Sequence, residues 1–328
     1  GSIMTTEYVP LRPHMTVGEA ILRIRRQGVD KETIYTCYVT AKDRKLLGLV
    51  TVKDLLLADD DEMKIEELMQ ENIADLIYVN TKTDQEEVAL MFNKYNFLAI
   101  PVVDGEGRMV GIVTFDDAMD VMEEEATEDM ELMSGMTPSE KPYLRSSSFE
   151  LFKNRIPWLM LMMVSATFTG LIMTAFEDAL AAQIALSAFI PMLMGTGGNS
   201  GSQSSVTVIR GLSLGELEFR DIGVILWKEI RTALLCGAAL SLVCFGKIWF
   251  VDHLLMGNDN ITLMVDLVVC LALAVTVVLA KMVGCMLPLA AKAVKLDPAV
   301  MARPFISTIV DALSLLVYFM FAKMLLNI

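Results

Sequence analysis

Two groups of carboxylates stand out by their surroundings. Asp311 is the only acid in the apolar run FISTIVDALSLLVYF, residues 305–319. A carboxylate there costs about 2.5–3.5 kcal/mol on insertion scales, so it calls for a compensating partner such as a cation. The second group is DDAMDVMEEEATEDME, residues 116–131. Asp117, Asp120 and Glu124 fall on one helical face, as do Glu125, Glu128 and Asp129. Like charges one turn apart each cost a few tenths of a kcal/mol. A divalent ion removes that cost; the alternative is a solvated acidic face. Mg²⁺ and Ca²⁺ both take carboxylate oxygens, and Mg²⁺ keeps several of its waters.

A third stretch is neutral. PMLMGTGGNSGSQSS, residues 191–205, carries four glycines (195, 197, 198 and 201) between apolar flanks. They are expected to break a helix and turn backbone carbonyls toward a cavity, where irregular backbone is tolerated at membrane depth. Asn199, Ser202 and Gln203 add oxygens that can hydrogen-bond the waters of a hydrated ion. Two cations also lie in apolar surroundings. Arg303 sits eight residues, about 12 Å, before Asp311. It is expected either at the cytoplasmic mouth of an ion path, paired with Asp297 or Asp311 when the path is shut, or snorkelling to the membrane interface. Lys281 is expected to snorkel, to meet a carboxylate such as Asp266, or to line a wet crevice. The five cysteines have no metal spacing and read as small apolar fillers.

The elements that must position these groups follow from composition. Residues 1–150 hold 30 acids and 15 bases, whereas residues 151–328 hold 11 and 12. The first part reads as soluble and acidic, the second as a membrane domain. Five stretches are near the 20 or so apolar residues a spanning helix needs: about 156–176, 183–209, 222–250, 261–290 and 300–326. Lys153, Arg155, Arg210, Arg220, Lys228, Arg231, Lys292 and Lys295 all fall on one side of these spans. The acidic part is therefore expected in the cytoplasm and the C-terminus outside. Five helices hardly enclose an aqueous path, so a two-fold homodimer in the lipid bilayer is expected.

The soluble part repeats itself. GLVTVKD (48–54) returns as GIVTFDD (111–117), a spacing of 63 residues that YVTAKDRKLLGLV and PVVDGEGRMVGIV share. Each unit reads as an amphipathic helix, a strand, a turn, a strand and a helix starting near the Thr. This resembles a pair of CBS domains, at 1–65 and 66–125. The resemblance implies an adenine-nucleotide cleft, with Thr51, Asp54, Thr114 and Asp117 meeting phosphate and ribose. The alternative is that each Thr caps the following helix and each Asp sits in its first turn.

RIPWLM, FEDAL, FIPMLMGTGGNSGSQSS, RGLSLGE, LPLAAKAVKLDPAV, STIVDALSLLVYF and ATED occur in order along the chain. Together they resemble MgtE-type magnesium channels. The implied fold is an α/β CBS-domain pair, a connecting plug helix at 126–152, and an all-α domain of five transmembrane helices at 153–328. The implied activity is Mg²⁺ movement through a dimeric pore in a prokaryotic plasma (inner) membrane. Asp311 would be the pore acid, with Gly195, Gly198 and Asn199 beside it. Asp117, Asp120, Glu125, Glu128 and Asp129 would bind cytosolic Mg²⁺ and hold the pore shut, with ATP at the CBS pair as a candidate tuning ligand. Two positions depart from the family pattern: Ser202 replaces an amide, and Arg303, the candidate gate, replaces an asparagine. Members usually begin with a further acidic helical domain, so sensor sites shared with it are not expected here. No HExxH, G-x-S-x-G or Walker A sequence is present, so no enzyme is expected, nor is a nucleic-acid partner. The competing readings are a transporter of Co²⁺ or Mn²⁺ and a membrane-tethered nucleotide sensor.

Overall fold

The computed structural model describes residues 2–69, 76–139, 141–257 and 261–326, except for the side chain of Arg303. The chain forms two compact units, 1–126 and 127–328.

The first unit realises the repeat. A short strand β1 (Pro10–Leu11) runs parallel to β2 (Thr36–Thr40), which pairs antiparallel with β3 (Leu46–Thr51). In the second half β4 (Val79–Asn80) lies parallel to β5 (Ala99–Val103), and β6 (Met109–Thr114) completes the sheet. The registers differ by the same 63 residues as the sequence: Thr36 faces Thr51, and Ala99 faces Thr114. Even the irregularity recurs, with a register shift after Val39 and another after Val102.

Helices α1 (Val17–Gln27), α2 (Val52–Leu56) and α3 (Ile65–Leu68) accompany the first sheet. Helices α4 (Gln85–Tyr95) and α5 (Phe115–Met133) accompany the second, and the unit boundary falls inside α5. Local chemistry starts these helices. Thr16 and Glu19 form a capping box on α1, and Asp84 caps α4. Tyr38, Ala99, Met109 and Ile112 form a core shared by the two sheets. Cys37 is buried in the first core, and burial pushes its thiol up to about 12, as suits a filler.

In the second unit, helices α6 (Ser148–Ala175), α7 (Glu177–Ala182), α8 (Ile190–Ser213), α9 (Ile222–Lys247), α10 (Leu263–Ala293) and α11 (Arg303–Leu326) follow in order. Among the described residues, four helical segments are long and apolar enough to cross a membrane: Ser148–Ala175, Phe219–Leu255, Leu263–Ala293 and Pro298–Leu326. The remaining expected span is α8, whose 24 residues reach about 36 Å. Its serines and glycines lower its hydropathy. The core joins α8, α10 and α11 through Leu193, Val268, Ala272, Leu315 and Phe319. Leu159, Met163, Phe168 and Leu171 of α6 are exposed, an apolar surface suited to lipid.

Two expectations are corrected here. The glycine stretch does not break the helix; α8 runs through it from Ile190 to Ser213. Each glycine inside a helix costs about 1 kcal/mol relative to alanine. Close packing offsets that cost, because three of the glycines involved leave no room for a methyl. A Cβ on Gly197 would lie 2.8 Å from Thr276 and 2.9 Å from Val310 and Ser314. One on Gly201 would lie 2.7 Å from Ile306, and one on Gly284 would overlap the Gly201 carbonyl. Small residues at i, i+4 let helix backbones approach in this way. The second correction concerns residues 126–152, which are not one helix. α5 stops at Met133, Gly135 adopts a left-handed φ of 71°, and α6 starts only at Ser148. Gly135 supplies the positive φ that ends a helix cheaply.

Candidate functional site

Helix α8 has two unlike faces. Gly197, Ser200, Gly201, Ser204 and Ser205 are buried against neighbouring helices. Gly195, Gly198, Asn199 and Ser202, at i, i+3, i+4 and i+7, form an open strip. A Cβ on Gly195 would meet nothing within 4 Å, and one on Gly198 only Ser307 at 3.9 Å. Ser307 thus places α11 beside this strip, and Asp311 stands one turn further along the same face of α11. The Asp311 carboxyl is half-buried and makes no hydrogen bond or ion pair among the described residues. Asn199 is exposed and likewise offers its amide unpartnered. The expected pore residues are therefore brought together, although on a regular helix. Side-chain oxygens, rather than carbonyls freed by a broken backbone, are its principal polar offering. Sequence reading missed Ser307, whose role shows only when α8 and α11 are packed.

The cations sort differently. Arg303 opens α11, but its side chain, and with it the gate expectation, lies outside the described residues. Lys281 neither snorkels nor reaches Asp266. It is 5% exposed, and its Nζ donates to Ser204 Oγ at 3.3 Å. Ser204 in turn donates to Glu229 Oε2 at 2.6 Å. Asp266 instead lies 3.2 Å from Nε2 of His253.

The acidic helix α5 does not gather a metal cage. Among the described residues, no three His, Cys, Asp or Glu side chains converge closely enough to hold an ion. Glu125 accepts a hydrogen bond from Gln85 Nε2 at 3.0 Å. Asp120 is exposed. Within the second unit, Asp129 Oδ2 accepts from Ser213 Oγ at 3.0 Å, at the C-terminal end of α8. Leu132 and Met133 pack with Ile209 of α8 and with Ala299 and Ala302.

Thr51 and Asp54 form a capping box: Thr51 Oγ1 donates to Asp54 Oδ2 at 2.6 Å and accepts from Asp54 N at 3.1 Å. Thr114 Oγ1 donates to Asp117 Oδ2 at 2.8 Å, 63 residues on. Thr114 also holds the neighbouring Asp116 carboxyl below the usual carboxylate range. The helix-capping alternative is therefore realised at Thr51 and Asp54, while Thr114 and Asp117 share a side-chain hydrogen bond at the first turn of α5.

Comparison with known proteins places both units. The sequence profile described as MgtE, divalent cation transporter, matches residues 190–321, and the CBS domain profile matches 1–61 and 65–124. The magnesium transporter MgtE of Thermus thermophilus is 38% identical over 327 residues, covering 100% of this chain and 70% of its own length. That of Bacillus subtilis is 36% identical over 323 residues, covering 97% and 68%. Among solved structures, the cytosolic domain of the Mg²⁺ channel MgtE in complex with ATP is 46% identical over 36% of this chain and 46% of that one, with a TM-score of 0.35. With two CBS domains followed by apolar helices, and this identity along nearly its whole length, the chain belongs to the MgtE family of divalent cation transporters.

Proposed function

We propose that the chain conducts Mg²⁺ across a prokaryotic plasma membrane through a pore formed by two copies. The observation that carries this reading is the unpartnered Asp311 carboxyl in an apolar helix, beside the open strip of Gly195, Gly198, Asn199 and Ser202 on α8. Two copies of Asp311 around a two-fold axis give a formal charge of −2, matched to one divalent ion. The asparagine and serine oxygens suit a hydrated Mg²⁺, because they bind its waters without stripping them. Co²⁺ and Mn²⁺ share the charge and the oxygen preference, and a flux competition series distinguishes them.

The first unit and α5 act as the sensor on the cytoplasmic side. Mg²⁺ on Asp117, Asp120, Glu125, Glu128 and Asp129 neutralises the self-repelling helix and keeps it ordered. Its end holds α8 through Asp129 and Ser213 and through the apolar contacts of Leu132. When Mg²⁺ falls, repulsion loosens α5 and frees the C-terminal end of α8. An adenine nucleotide at Thr51, Asp54, Thr114 and Asp117 tunes the same unit.

This yields an expected result. Asp129→Asn weakens both the ion site and the contact to Ser213, so the Mg²⁺ concentration that half-closes the pore should rise by about tenfold. A titration of flux against Mg²⁺ on the CBS side measures it. An unshifted midpoint would remove Asp129 from the sensor. The same titration with ATP, repeated in Thr51→Ala/Asp54→Ala, tests the nucleotide arm; an ATP effect that survives the double substitution places the nucleotide elsewhere.

A further inference from the structure

Lys281 is the most deeply buried base among the described residues of the helical unit, yet no ion pair reaches it. Its Nζ donates to Ser204 Oγ at 3.3 Å, and Ser204 passes its own proton toward Glu229 Oε2 at 2.6 Å. One hydroxyl, itself 2% exposed, therefore joins a base on α10 to an acid on α9. The formal charges at the two ends cancel, which makes the chain tolerable in an apolar interior.

Its position on α8 is informative. Ser204 lies nine residues after Gly195, which at about 100° per residue is the opposite side of the helix from the open strip. It is also three residues after Gly201, and Lys281 is three before Gly284. The hydrogen bond thus sits one turn from the point where the α8 and α10 backbones touch. That touching face of α8 is made of glycines and serines, which present no large knobs to interlock. Small-residue packing brings helices close but resists rotation about the helix axis weakly. A directional bond supplies what the packing lacks.

We propose that Lys281, Ser204 and Glu229 form a polar pin that sets the rotation of α8, and so the aim of Asn199 and the open strip at the ion path. They are positioning residues, which need not touch the ion, and their loss should relax selection among divalent ions. The inference rests on the reading of that strip as part of a Mg²⁺ pore.

The test compares Mg²⁺ and Ca²⁺ flux through full-chain protein in liposomes for wild type, Ser204→Ala, Lys281→Met and Lys281→Met/Glu229→Gln. Ser204→Ala removes one oxygen from a packed site and is expected to fold. Its Mg²⁺-to-Ca²⁺ flux ratio should fall by about tenfold, the scale seen for groups that act through position. Lys281→Met leaves the partly buried Glu229 without its base and should lower thermal stability as well as the ratio. The double substitution removes both charges, so stability should recover while the ratio stays low. A ratio that tracks stability, returning in the double variant, would overturn the pin in favour of simple charge burial. So would a wild-type ratio in Ser204→Ala, or a Ser204→Ala chain that cannot be folded, which would place the hydroxyl in the scaffold. Absence of Mg²⁺ flux in wild type would instead sink the pore reading itself.

Discussion

Asp311→Ala should reduce Mg²⁺ flux by about a hundredfold or more, equivalent to about 2.7 kcal/mol on the barrier at 1.36 kcal/mol per decade. The carboxyl is held in an apolar helix without a protein partner among the described residues. Such a group is costly, so its removal should leave folding intact or improve it. A simple scaffold residue would behave in the opposite way, losing stability and flux together. Asp311→Asn separates charge from shape. It keeps an oxygen for the hydration shell but loses the attraction for a dication, so flux should remain near that of the alanine variant. Thermal unfolding of both variants beside flux settles the point. Wild-type flux in either would exclude Asp311 from the path.

The second large effect is structural. Gly284→Ala drives a methyl into the Gly201 carbonyl, backbone against side chain, where no rotamer can turn aside. Overpacking of a filled core costs typically 1–3 kcal/mol, and this site should reach or exceed the upper end of that range. The α8–α10 crossing would have to separate, carrying the open strip with it. We expect a clear fall in melting temperature in detergent and loss of flux. Gly246→Ala is the control. It lies in α9 with nothing within 4 Å of the added Cβ, so it should be neutral or slightly stabilising through helix propensity. Equal melting temperatures for the two variants would refute the close crossing.

Much of the first unit was legible because a repeat fixes pairings twice. The 63-residue spacing read from GLVTVKD and GIVTFDD reappears in strand register, in the position of the irregularity and in the hairpin turn. Arg44 and Gly107, also 63 apart, both adopt left-handed backbone. Asp311 stood out as a candidate for a different reason, since a lone acid in an apolar run is conspicuous wherever it packs. The glycine stretch was misread because glycine has two uses. As a helix breaker it predicts a gap; at i, i+4 spacing, as in Gly197, Gly201 and Ser205, it marks a close helix crossing. That spacing was present in the sequence, and what decides between the uses is a partner surface, here Thr276, Ala280 and Gly284 of α10. The end of α5 was likewise signalled by SGMTP, residues 134–138, against the pull of the acidic helical pattern before it. Lys281 was not legible. Its partner is a neutral serine 77 residues away, so neither charge pattern nor local spacing points to it.

The most direct measurement is Mg²⁺ uptake into liposomes holding the full chain, with low and then high Mg²⁺ on the CBS side and Asp311→Ala vesicles as the blank. Uptake well above the blank at low Mg²⁺, falling as Mg²⁺ on that side rises, is the expected result. Uptake no greater than the blank under both conditions would contradict a Mg²⁺ pore in this chain.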